Sequence, residues 1–172
     1  MSLLGGKPRA PRAFFLVGAL LAACGGGGDE AAQRVELGTG EVSYEPIEGE
    51  PELTLARGSQ GGFHVWASFV AEGFSGERLA MELRTTVVGQ DDSTLVMRAD
   101  LATRPFQDEE GEPNEAVRTF AGYPAQIFDA RCGHGKRARL EITLSDDSGG
   151  LASDTRHCLL DVPESFRRSD CD

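Results

Sequence analysis

Ala138-Arg139-Leu140-Glu141-Ile142-Thr143-Leu144 is the stretch from which the fold of this chain is read. Apolar residues stand at 138, 140, 142 and 144, with Arg139, Glu141 and Thr143 between them. A period of two sends successive side chains to opposite faces of an extended backbone, so the stretch reads as a half-buried β-strand rather than a helix. Ser145 to Gly150 follows as a turn, and Leu151 to Val162 returns as the second arm of a hairpin. Asp146 and Asp147 sit where short polar side chains favour a reversal, and they read as turn residues.

The same period extends toward the N-terminus. Leu79, Met81, Leu83, Thr85 and Val87 alternate with outward Glu82 and Arg84, and Leu95, Met97, Ala99 and Leu101 return after a turn over residues 89–93. Phe63, Val65, Ala67 and Phe69 alternate with His64, Trp66, Ser68 and Val70, so this segment is apolar on both faces and is expected to lie in the middle of a sheet. Glu41 to Ile47 reads as a short edge segment near Pro46, and Leu53 and Leu55 alternate with Glu52 and Thr54. Val117 to Phe120 and Ala125 to Phe128 read as two short extended pieces flanking Gly122-Tyr123-Pro124. No stretch carries a long amphipathic helical period. Seven to eight short strands separated by Gly, Asp and Ser turns predict an all-β chain, a single antiparallel β-sandwich.

The closing segment, with Leu140, Ile142, Leu144, Asp146, Gly149, Gly150 and Ala152, resembles the final hairpin of immunoglobulin-like domains of bacterial surface proteins. The stretch Gly61 to Phe69 (GGFHVWASF) is similar to a central strand of envelope lipoproteins of unassigned function that bear one such domain. The resemblance implies an immunoglobulin-like β-sandwich over residues 35–165. It also implies departures from that pattern. Trp66 takes the place of the strand-C tryptophan, yet no cysteine precedes it on an earlier strand, and Ala130 stands where a tyrosine corner would lie.

Before the strands, Lys7, Arg9 and Arg12 lead into an apolar run from Ala13 to Leu21, and Leu21-Ala22-Ala23-Cys24 follows. The run is too short to span a hydrocarbon core, which takes about 20 residues. Its order resembles a bacterial lipoprotein signal peptide with its lipobox. That resemblance implies cleavage after residue 23, a diacylglyceryl group and a further acyl chain such as palmitate on Cys24, and lipid anchoring in the cell envelope. Residues 24–34, beginning with four glycines after the cysteine, read as a flexible tether reaching roughly 16–19 Å. Gly25 stands where, by the same resemblance, Asp would favour inner-membrane retention, so sorting to the outer membrane is expected. Residues 166–172 read as a polar C-terminal tail.

The leader holds three basic and no acidic residues, leaving 14 basic against 28 acidic in the exported part, a balance of −14. Such a surface repels phosphate backbones, so nucleic-acid partners are excluded and the membrane is expected to be met through the Cys24 lipid. A protein or glycan of the envelope is the remaining class of partner. Cys132, Cys158 and Cys171 stay for an oxidising compartment, and three cysteines allow three single pairings. Cys132–Cys158 is the expected pair because Cys171 lies in the polar tail. A register count places Cys158 near Arg137, so this pairing requires Cys132-Gly133-His134-Gly135 to fold back over the strand.

Two ion-binding readings are weighed against blander ones. His64, Cys132 and His134 supply the two imidazoles and one thiolate of a blue-copper site, but the Cys–His–Met cluster near the C-terminus of such proteins is missing. Asp108 to Glu115 is rich in carboxylates suited to calcium, yet it lacks the alternating series of an EF-hand, and a solvated charge run is the more common explanation of such a stretch. No G-x-S-x-G, P-loop, H-E-x-x-H or G-x-G-x-x-G after a strand occurs, and no catalytic role or cofactor is expected. The sequence therefore predicts a membrane-anchored binding or structural module, with an ion-binding or copper redox sandwich as the alternative.

Overall fold

A computed structural model describes residues 32–75, 78–89, 94–102 and 117–171. The expected leader, Cys24, the expected tether up to residue 31 and the acidic stretch Asp108–Glu115 lie outside the described residues. Ten strands occur in the described residues: β1 (Arg34–Thr39), β2 (Glu45–Pro46), β3 (Glu52–Thr54), β4 (Ala56–Arg57), β5 (Phe63–Glu72), β6 (Arg78–Val87), β7 (Thr94–Ala102), β8 (Val117–Gln126), β9 (Arg137–Asp146) and β10 (Leu151–Asp161). Short 3₁₀ turns occupy Ala130–Cys132 and Glu164–Phe166. Among the described residues no helix is long and apolar enough to cross a membrane.

The strands form two sheets. In the first, β5 is central, with β8 along one edge and β1 and then β4 along the other, and β2 extends β1. The second runs β3-β10-β9-β6-β7. The alternation of β9 appears as expected: Ala138, Leu140, Ile142 and Leu144 are fully buried, and Arg139 and Thr143 are exposed. Facing them across one core are Leu37 of β1 and Val65, Ala67, Phe69 and Ala71 of β5. Pairing is antiparallel except at β3, which runs parallel to β10 with Leu160 opposite Leu53. This corrects the expectation of a wholly antiparallel fold. The chain passes from the first sheet to the second at Pro51, whose carbonyl accepts from Leu159 N, and returns after Leu55, whose N–H donates to Asp161 O. A strand that arrives by crossing between sheets is not bound to the direction a hairpin imposes.

Two expected pieces around Gly122-Tyr123-Pro124 are one strand, β8, interrupted by a bulge against β5 between Ala67 and Phe69. The extra residue breaks the period of two. Phe120 and Tyr123, three apart, therefore both reach Phe69, with ring centroids at 4.8 and 5.6 Å. Pro124 is tolerated because β8 is an edge strand and needs no N–H on its free side.

The sheets are joined along the β1–β10 seam by charge. Asp154 lies on the inward face of β10, and its Oδ2 accepts from Leu37 N on the open edge of β1 at 2.8 Å. Arg156 Nε donates to the same carboxylate at 2.8 Å, and its Nη2 lies 4.0 Å from Glu36 Oε1. Inward charges of this kind satisfy an edge and deny it to foreign strands. Replacing Asp154 by Ala leaves Leu37 N without its charged acceptor and is expected to cost about 1.5–3 kcal/mol. Asp154→Asn, which keeps an acceptor, should cost about half as much, as read from urea denaturation midpoints.

Candidate functional site

On β5 the even-numbered side chains His64, Trp66 and Ser68 point away from the core between the sheets, yet His64 is only 6% exposed and Ser68 is fully buried. Two loops cover them. The first crosses from β1 toward β8 over Ser68, where Gly122 N donates to Gly40 O at 3.2 Å. Gly122 has φ +78°, and a Cβ there would stand 2.6 Å from Glu41 O, so a glycine is needed to admit the crossing. The second is the tight turn after β4, closed by Gly58 N to Gly62 O at 2.8 Å and Gly61 N to Gly58 O at 2.9 Å. Gly58 lies over the imidazole, since an added methyl would stand 3.7 Å from Cε1 and Nδ1 of His64.

Between these covers lies a recess of about 560 Å³, floored by His64 and Trp66 and rimmed by Glu41, Arg57, Gln60 and Gln126. Pro124 of β8, the cross-strand partner of Trp66, extends the apolar floor. The indole is half-buried and is held from below: His64 meets it edge-on, with centroids 4.4 Å apart and planes at 76°. Thr39 Oγ1 donates to Trp66 O at 2.8 Å, which fixes the backbone beneath it. Burial pushes the His64 imidazole below its ordinary value, partly opposed by the carboxylate of Glu41. Its Nε2 is enclosed and has no hydrogen-bond partner among the described residues.

The recess was not anticipated from sequence. Trp66 read as a core tryptophan ahead of a ligand platform, but it stands on β5, the second long strand, on the face away from the core. The signal of this was present in the alternation of Phe63 to Val70, which places Trp66 opposite in phase to Phe63, Val65 and Phe69.

The expected disulfide is corrected. Cys132 pairs with Cys171, Cα atoms 5.2 Å apart, and Cys158 is a free thiol. The segment 132–135 does fold over β10, with Gly135 N donating to Leu160 O at 2.8 Å. Cys158, however, points into the core opposite Ala138 with no exposure, whereas the tail reaches Cys132 by docking. Phe166 packs edge-on to Phe63 at 5.3 Å, the Arg131 guanidinium lies 5.8 Å over that ring, and Arg167 Nε donates to Val162 O at 2.7 Å. The polar composition of 166–172 concealed these few anchoring contacts.

The three histidines do not assemble a metal site. The sulfur of Cys132 is bonded to Cys171, and His134 Nδ1 accepts from Val162 N at 3.3 Å beside Asp161. His157 is exposed on β10. Among the described residues no three His, Cys, Asp or Glu side chains converge to hold an ion. Asp146 acts within its turn, its Oδ1 accepting from Ser148 N at 3.1 Å and Gly150 N at 2.7 Å. A search against protein-family models, curated proteins and solved structures found no match to this chain.

Four measurements check this geometry. Burial pushes the Cys158 thiol up to about 12, so maleimide should label it only after denaturation, and non-reducing peptide mapping should link Cys132 to Cys171. Cys171→Ser should lower stability by about 4 kcal/mol on the loop-entropy estimate for a separation of 39 residues. The depressed His64 value has a definite sign. The unfolded chain binds a proton at this histidine more readily than the folded one, so stability is intact above the ordinary histidine value and falls as pH drops below it. Between pH 7.5 and 5.5 the wild type should therefore lose more melting temperature than His64→Phe, and equal slopes would show that His64 is not the source.

Proposed function

We propose that this protein is a lipid-anchored lipoprotein of the bacterial cell envelope whose exported part is an immunoglobulin-like sandwich acting as a binding module without catalysis. Location rests on Leu21-Ala22-Ala23-Cys24 and the basic, apolar lead into it. The fold reading is supported by strand order. The seven strands of six residues or more divide so that β1-β5-β8 faces β10-β9-β6-β7. Taken in sequence as strands A to G, that is A-B-E against G-F-C, with the fourth strand joined to C, and β3 adds to the last strand in parallel. The first, second and fifth strands share a sheet, as do the third, sixth and seventh, which is the partition of immunoglobulin-like domains.

The observation that carries the binding role is the recess at Trp66. A large aromatic left partly exposed, on a rigid sheet and among polar side chains, favours a binding surface in a chain whose core is filled elsewhere. The Cys24 lipid, on a tether of about ten residues, would present it near the membrane surface, and outer-membrane sorting follows from Gly25.

The test of the anchor is metabolic labelling with an alkyne analogue of palmitate, followed by membrane fractionation. Wild type should carry the label and sediment with the outer membrane. Cys24→Ser should lose the label and the membrane association together. Label that persists in Cys24→Ser would overturn the reading.

A further inference from the structure

Resting on the binding-module reading, we propose that the recess over Trp66 is a saccharide site, taking a neutral sugar ring on the indole face. Four features favour this class. The first is the platform: the half-buried indole of Trp66 and the Pro124 ring are cross-strand neighbours and form a continuous apolar floor. Sugar rings present C–H faces that lie on such a surface, and the His64 contact at 4.4 Å holds the indole in one orientation before any ligand arrives.

The second is the rim. Arg57 only donates hydrogen bonds, Glu41 only accepts, and the amides of Gln60 and Gln126 do both. A ligand that satisfies all four must donate and accept around its edge while staying apolar on its face, as vicinal hydroxyls on a ring do. A purely apolar ligand would cover these groups and leave them unpaired, which is costly. The third is charge: one cation and one anion on the rim leave the recess without net charge, which suits a neutral ligand over an anionic or cationic one. The fourth is size, since about 560 Å³ lies within the usual range for small-ligand sites and exceeds what a single ion requires.

The chain contains one tryptophan, so its emission reports this recess alone. The experiment titrates the full chain, purified in detergent with its lipid intact, with two neutral tetrasaccharides, one of glucose and one of N-acetylglucosamine. Tetragalacturonate and tetramethylammonium serve as anionic and cationic probes. At least one neutral tetrasaccharide should change Trp66 emission saturably below about 10 mM. By calorimetry, Trp66→Ala should weaken that binding roughly ten-fold or more, and Trp66→Phe, which keeps an aromatic face, should weaken it less. Gln126→Ala should weaken it several-fold. Thr143→Ala, exposed on the other sheet, should leave it unchanged.

The proposal is overturned if neither neutral tetrasaccharide binds, if binding is unaltered in Trp66→Ala, or if only a charged probe binds. A response to tetramethylammonium alone would reassign the recess to cations while leaving a binding module in place. Silence toward every probe, from a chain that still carries the Cys24 lipid, overturns the saccharide assignment. The anchored-module reading fails by a separate result, the survival of palmitate label in Cys24→Ser.

Discussion

The structure depends on a single requirement, that β5 be covered on both of its faces. Val65, Ala67, Phe69 and Ala71 are covered by the opposing sheet, as in any two-sheet domain. His64, Trp66 and Ser68 face the other way, where such a domain usually meets water. Burying them takes the loop that crosses at Gly40 and Gly122 and the turn at Gly58–Gly62. Both loops are bound by backbone hydrogen bonds, because exposed apolar area on a central strand invites association. Ser68 is fully covered, His64 nearly so, and Trp66 only in part. The recess is where the covering stops.

The same economy appears at the margins of the sheets. Along β1 and β10 the seam is closed by Asp154 and Arg156 rather than by hydrocarbon, which satisfies Leu37 N without lengthening β2. At the end of β5 near Phe63, the C-terminal tail supplies Phe166 and the Arg131 side chain stacks above, and the Cys132–Cys171 bond holds that arrangement across 39 residues. The bond closes a loop of 39 residues and so restricts the unfolded chain. Cys158, already enclosed by the core, contributes as a small apolar side chain.

Much of this was legible in residue order. The strands β5, β6, β7, β9 and β10 follow from alternation, and Asp146 with Gly149 and Gly150 announced the last turn. Other features were hidden for identifiable reasons. The bulge in β8 splits one strand into two apparent pieces, since its extra residue shifts the phase at Gly122. β3 carries too few residues to show a direction, and its parallel pairing is decided by where the chain crosses between sheets. The tail was concealed because Phe166 is one aromatic among charges, and composition averages over it. Of the recess only the phase of Trp66 was readable, because the loops that partly cover it come from residues 40–41, 58–62 and 122–126.

By itself the sequence determined the β class, the main strands and the centrality of β5. These are local properties, set by how side chains alternate along an extended backbone and by short motifs. Only the tertiary structure decided that Cys132 meets Cys171 rather than Cys158, that β3 runs parallel to β10, and that Trp66 floors a recess beside His64. Each of these is a relation between residues far apart in the chain. Pairing of that kind depends on which groups the packed core brings within a few ångströms and which way their side chains point, and no local period encodes either.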